Sequence, residues 1–160
     1  MKRILILYRS KYGTTQKYVK SLSEKIEGDY EISDVKSFTG KLKDYDVIIL
    51  ASCTYMGRIL IIDFIKENEK ILKNRKTYLL TIGLVPEDSD ASKQSFEMIP
   101  EIVRRNLVGY RKLPGRIKAS ELNFFERMIL KMTKAKTDDK FDLSRIDKVV
   151  EDLNMSGVLA

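Results

Sequence analysis

Ile4-Leu5-Ile6-Leu7-Tyr8-Arg9-Ser10-Lys11-Tyr12-Gly13-Thr14-Thr15 is the stretch on which the reading of the whole chain turns. Ile4 to Tyr8 form an unbroken apolar run, the pattern of a strand covered on both faces. Beyond the loop, Val19, Leu22 and Ile26 recur at helical spacing, so Ser10 to Thr15 join a strand end to a helix start. The first N–H groups of a helix have no intrahelical partner, and the helix dipole adds partial positive charge there. A loop of Ser, Gly and two Thr in that position can ring a phosphate with N–H and O–H donors. Gly13 keeps a Cβ out of the anion's path. The same hydroxyls also suit plain capping of the helix by Thr14 or Thr15.

The loop lacks the lysine of an ATP-type P-loop and the glycine pattern of dinucleotide binders, which points to a mononucleotide. An aromatic strand end followed by Ser-x-x-Gly-x-Thr and a helix resembles the phosphate loop of the flavodoxin superfamily. That resemblance implies FMN as cofactor, with Ser10, Lys11, Tyr12, Gly13, Thr14 and Thr15 around its phosphate. It also implies an α/β fold, a flavodoxin-like three-layer sandwich. Its five-stranded parallel sheet has the order 2-1-3-4-5 with helices on both faces.

The rest of the sequence supplies the elements for such a sheet. Val47-Ile48-Ile49-Leu50-Ala51 and Tyr78-Leu79-Leu80-Thr81-Ile82 are two further buried-strand runs. Weaker strand patterns lie at 30–35 and 109–117. Helical faces are expected at 14–27, 60–73, 91–106, 121–134 and 143–154, with Pro100 disturbing the third of these. Alternating strand and helix imply right-handed crossovers and a ligand site at the carboxyl ends of the strands. No repeat or linker divides the chain, so one domain over 1–160 is expected.

Two more loops fall where a flavin ring would sit. Thr54-Tyr55-Met56-Gly57 resembles the Thr-aromatic-x-Gly loop of flavodoxins, and Arg58 adjoins it. Tyr55 would offer a flat face for stacking, and Gly57 would let a peptide reorient beside the flavin. Arg58 would raise the flavin's potential by stabilising its reduced anionic form. Gly83 and Leu84, in the loop after the Tyr78 run, are expected to offer mainly backbone groups. Cys53 is expected to pack as a small hydrophobe.

Composition narrows the chemistry. The 160 residues are 43% hydrophobic and 33% charged, as in a globular protein. With no histidine and one cysteine, the chain cannot form a His-dependent site, an intrachain disulfide or a Cys-x-x-Cys pair. Electrons would have to be carried by a bound organic cofactor. No signal peptide or membrane span is recognisable, so the chain is read as cytoplasmic.

The net charge of +7 is unevenly spread: residues 104–136 hold 10 Lys/Arg against 2 Asp/Glu. In the same segment Phe124, Phe125, Met128, Ile129, Leu130 and Met132 alternate with Arg127, Lys131 and Lys134. Such a helix suits wide burial, a partner, or an anionic membrane surface at the inner face of the membrane. Gly115-Arg116-Ile117-Lys118 and Leu122-Asn123-Phe124-Phe125-Glu126-Arg127-Met128-Ile129 resemble the menaquinone-dependent protoporphyrinogen dehydrogenases, a flavodoxin-domain branch. The match extends through Thr137-Asp138 to the final helix. Ala119-Ser120-Glu121 and the Pro86–Pro100 segment depart from that branch.

The resemblance implies an FMN-dependent oxidoreductase acting on a bulky anionic, porphyrin-type substrate with quinone as acceptor. Arg116 and Lys118 would face substrate carboxylates, and Phe124, Phe125 and Met128 would form an apolar wall. The alternative is a basic electron-transfer flavodoxin working with a protein redox partner. No nucleic-acid module is present, so nucleic acid is not expected as a partner.

Overall fold

In the computed structural model, which describes residues 1–116, 122–133 and 142–159, the apolar runs become the middle of a parallel sheet. Strands β1 (Arg3–Arg9), β2 (Asp29–Asp34) and β3 (Val47–Tyr55) are followed by the two-residue β4 (Arg58–Ile59), then β5 (Lys76–Gly83) and β6 (Leu107–Pro114). The parallel path runs β2-β1-β3-β5-β6. Counting its five strands alone, this is the expected order. The addition is β4, a short hairpin strand antiparallel to the end of β3.

Side chains alternate across a strand, so a strand buried on both faces must be apolar at every position. Ile4 and Ile6 of β1 pack with Val47, Ile49, Tyr78 and Leu80 on one face. Leu5 and Leu7 pack with Ile48, Leu50 and Leu79 on the other. Helices α1 (Thr14–Ser23) and α7 (Ile146–Met155) cover the first face through Tyr18, Val19, Leu22, Ile146, Val149 and Leu153. The second is covered by α2 (Ile62–Glu67), α3 (Glu69–Leu72) and α5 (Glu101–Arg104), with α4 (Asp90–Glu97) beside the sheet's carboxyl end. One crossover leaves β1 for β2 on one side and the next goes to β3 on the other. The chain therefore reverses direction at β1 and β3, opening a crevice at their carboxyl ends.

Two expected helices are broken, each by an identifiable residue. Asn68 divides 60–73 into α2 and α3 and turns its side-chain amide onto the Phe64 carbonyl at 2.8 Å. Pro100 lacks an N–H and disfavours helix in the residue before it, so 91–106 becomes α4 and α5. The first helix also stops earlier than the sequence pattern, at Ser23. Helix α6 (Phe124–Thr133) is the last element near the crevice. At the far edge, Asp152 of α7 accepts from Arg111 Nη2 at 2.9 Å and from Tyr78 at 2.8 Å, fastening α7 to β5 and β6.

Candidate functional site

The loop after β1 ends in Gly13, whose φ of 82° lies in the left-handed region that favours glycine. Ser10 Oγ accepts from the Gly13 N–H at 2.9 Å, folding the loop into a tight turn ahead of α1. Gly13 itself is the cap residue of α1, and no side chain caps the helix. Simple capping by Thr14 or Thr15 is therefore not what these residues do. Thr14 Oγ1 donates to the Arg116 carbonyl at 3.3 Å. Thr15 is fully buried, and its hydroxyl finds no hydrogen-bond partner among the described residues. A buried orphan hydroxyl is rare and costly. It lies here at an uncapped helix start, with open space where a Gly13 Cβ would stand. This donor set fits a phosphate.

The second loop is a two-residue hairpin. Tyr55 of β3 pairs with Arg58 of β4, and both residues between them have positive φ, 50° for Met56 and 74° for Gly57. That combination is the signature of a type I′ turn. For Met56 the left-handed conformation costs roughly 1 kcal/mol, a strain held by the hairpin around it. The Gly57 carbonyl accepts from Ser95 Oγ of α4 at 2.6 Å. Arg58 pairs with Asp63 at 2.6 Å, which offsets the positive field assigned to it from sequence. Cys53 is half-buried, and burial pushes its thiol pKa up, in keeping with a packing role.

The third loop closes on the second. A Cβ on Gly83 would lie 2.1 Å from Thr54 Oγ1, so glycine is required for the two loops to meet. The Gly83 carbonyl accepts from the Gly115 N–H at 2.9 Å, so this backbone acceptor is already engaged, while Leu84 beside it is half-buried. Thr54 Oγ1 donates to the Ile82 carbonyl at 3.3 Å. Behind this loop, half-buried Lys112 donates to Ser92 Oγ at 2.6 Å, and burial lowers its pKa.

Helix α6 reaches the first two loops through one carboxylate. Glu126 is 9% exposed and accepts from Lys11 Nζ at 2.7 Å and from the Tyr55 hydroxyl at 3.1 Å. Lys11 Nζ also stands 3.6 Å from the centre of the Tyr55 ring, a cation–π contact that covers one face of that ring. Asn123 and Glu126 form a reciprocal cap. The Glu126 N–H donates to Asn123 Oδ1 at 2.8 Å, and the Asn123 N–H donates to Glu126 Oε2 at 3.1 Å. The hydrogen bond from Lys11 holds the Glu126 carboxyl down at about 2 and raises the lysine in turn. Tyr12 lies against the same carboxylate, and burial first, then Glu126, pushes its phenol up to about 12. Lys11, Tyr12, Asn123 and Glu126 line an open concavity of about 560 Å³.

The tertiary structure thus brings Ser10 to Thr15, Thr54 to Arg58 and Gly83 to one end of the sheet. Sequence reasoning missed Glu126, Ser95 and Lys112 as neighbours of these loops. Glu126 had a readable signal: Asn-x-x-Glu at a helix start, and one of the two acids of a basic segment. The Arg116 carbonyl accepts from Thr14 of the first loop, a backbone contact, whereas Lys118 lies outside the described residues. Phe124, Phe125 and Met128 are exposed rather than buried in the core. Among the described residues, no cluster could hold a metal ion and no helix is long and apolar enough to cross a membrane.

Comparison with known proteins agrees with this fold. The chain is similar to a Streptococcus pneumoniae TIGR4 flavodoxin, at 14% identity and TM-score 0.54 over 82% of this chain and 98% of that one. A flavodoxin from the domain Archaea gives 15% identity and TM-score 0.52 over 82% and 96%. Flavodoxin 1 from Bacillus cereus gives 15% identity and TM-score 0.51 over 84% and 99%. At these identities the likeness is one of fold. No curated protein gives a significant match. A family model described as the flavodoxin domain matches residues 5–144, nearly the whole of the sheet, its loops and α6, and the chain belongs to that family.

Proposed function

We propose that this protein is an FMN-binding oxidoreductase of the flavodoxin type. The observation that carries the reading is the buried, unpartnered Thr15 hydroxyl beneath the uncapped start of α1. Ser10, Gly13, Thr14 and Thr15 hold the phosphate, and Thr54 to Arg58 with Gly83 and Leu84 hold the ring. Bound FMN supplies the electron-accepting centre that a chain with no histidine and one cysteine lacks. Titrating the purified apoprotein with FMN, FAD and riboflavin tests the cofactor. Binding requires the phosphate, so riboflavin should be much weaker, and a preference for FAD would overturn the reading.

The finer reading is a quinone-linked dehydrogenase of a porphyrinogen-type substrate at an anionic membrane surface. It is supported by α6, where Phe124 is 82% exposed and Met132 78% exposed beside the cations Arg127 and Lys131. Apolar and basic side chains together on one helix suit insertion among anionic headgroups. Anaerobic oxidation of protoporphyrinogen with menaquinone by the FMN-loaded protein tests it. Without that activity, and without membrane binding, a basic electron carrier with an acidic protein partner becomes the better reading.

A further inference from the structure

We propose that Lys112 supplies the positive charge at the ring loops and so favours reduced over oxidised FMN. The proposal rests on the FMN reading above, and it moves to β6 the role that the sequence suggested for Arg58. Two electrons and one proton turn oxidised FMN into a hydroquinone anion, so the ring gains one negative charge. A cation fixed beside the ring favours that form.

Placement comes first. Lys112 lies near the carboxyl end of β6, in register with Thr81 of β5. A Cβ on Gly83 would stand 3.4 Å from Lys112 Nζ and 2.1 Å from Thr54 Oγ1. The amino group therefore lies where the second and third loops meet. Charge balance sets it apart from three other cations of this region. Lys11 faces Glu126, Arg58 faces Asp63 and Arg9 faces Asp34. Among the described residues Lys112 has no ion-pair partner, and its amino group donates to the Ser92 hydroxyl at 2.6 Å.

A half-buried ammonium without a carboxylate costs stability that an apolar side chain of similar length would not. Its surroundings offer little to offset that cost. Burial is the main influence on the amino group and lowers its pKa. Exposed Glu87 of the third loop acts the other way, without an ion pair. Tyr110, two residues back on the same face of β6, brings no negative charge, because burial pushes its phenol up. Ser92 is neutral, and its own proton goes to the Pro86 carbonyl at 2.6 Å. An anion arriving at the ring loops would meet a cation that no group of the protein has neutralised.

Failure of the wild-type protein to bind FMN would overturn the cofactor reading and this proposal together; with FMN bound, the charge is tested alone. In FMN-loaded protein reduced with dithionite against a redox dye, Lys112→Met should weaken binding of reduced relative to oxidised FMN about tenfold. The potential should fall accordingly. By reciprocity, reduction should raise the proton affinity of Lys112 in the wild-type protein by the same factor, read from NMR titration of the labelled lysine side chain. A lysine that only braces α4 against β6 would not respond in that way. Ser92→Ala removes the brace and keeps the charge, so its ratio of affinities should stay at the wild-type value. An unchanged ratio in Lys112→Met, an equal fall in Ser92→Ala, or a Lys112 proton affinity that ignores reduction would overturn the proposal. The last measurement needs no variant, so it decides the matter even where Lys112→Met fails to fold.

Discussion

Glu126 Oε1 lies 2.7 Å from Lys11 Nζ, so the first turn of α6 is tied to the loop that opens α1. The tie is more than a surface ion pair, because the same carboxylate is buried, caps its own helix and accepts from Tyr55. One acid therefore joins the first loop, the second loop and the basic helix.

That tie has a pH signature. Glu126 is depressed to about 2 in the folded protein from the ordinary value of 4.5, chiefly by Lys11. A carboxylate depressed on folding contributes stability above its unfolded pKa and loses it as pH falls through the folded one. Docking of α6 should be complete above about pH 5 and weaken progressively between about 4.5 and 2. Limited proteolysis or amide signals of α6 followed over this range would show it. Glu126→Gln should already be loosened at neutral pH, by about 1 kcal/mol since Lys11 is partly exposed, and its pH response should be flat.

Thr15 should separate stability from ligand binding. Thr15→Val replaces an unpaired buried hydroxyl with a methyl group of similar size. The flavin-free protein should keep or gain stability, up to about 1 kcal/mol, while FMN binding weakens. Thr15→Asp sets a like charge against the phosphate and should weaken binding far more. Thermal melts and flavin fluorescence titrations on both variants check this pair. Equal FMN retention by Thr15→Asp would remove Thr15 from the site.

Gly83 and Thr54 should behave as one unit. Gly83→Ala drives a methyl into Thr54 Oγ1 and forces the second and third loops apart. A loss of about 1–3 kcal/mol is expected from this overpacking, together with weaker FMN binding. Adding Thr54→Ala removes the clashing oxygen and should recover part of both losses, a coupling that a double-mutant cycle measures directly.

Membrane attachment is read by liposome flotation. Binding to vesicles with anionic lipid should fade as salt rises, be absent on neutral vesicles and weaken in an Arg127/Lys131/Lys134→Glu triple variant. Replacing Phe124 and Met132 with Ser should weaken it as well, since both side chains are largely exposed. A protein that ignores anionic vesicles would leave the exposed face of α6 to a protein partner.

By itself the sequence determined the sheet and the first loop. Strands buried on both faces need apolar residues at every position, so β1, β3 and β5 stand out as unbroken runs. The first loop is equally local, its Ser, Gly and Thr lying within six residues between a strand and a helix. Helix boundaries were less legible, because Asn68 and Pro100 break patterns whose apolar spacing continues across them. What only the tertiary structure decided are the ties between remote segments. Tyr55 and Glu126 are 71 residues apart, and Gly57 and Ser95 are 38 apart. Periodicity says which face of an element turns inward, but not which polar side chain on another element meets it. That depends on strand order and crossover geometry, which bring the ends of β1, β3 and β5 together with α4 and α6. The orphan Thr15 hydroxyl belongs to the same class, because a missing partner is visible only once every neighbour is in place.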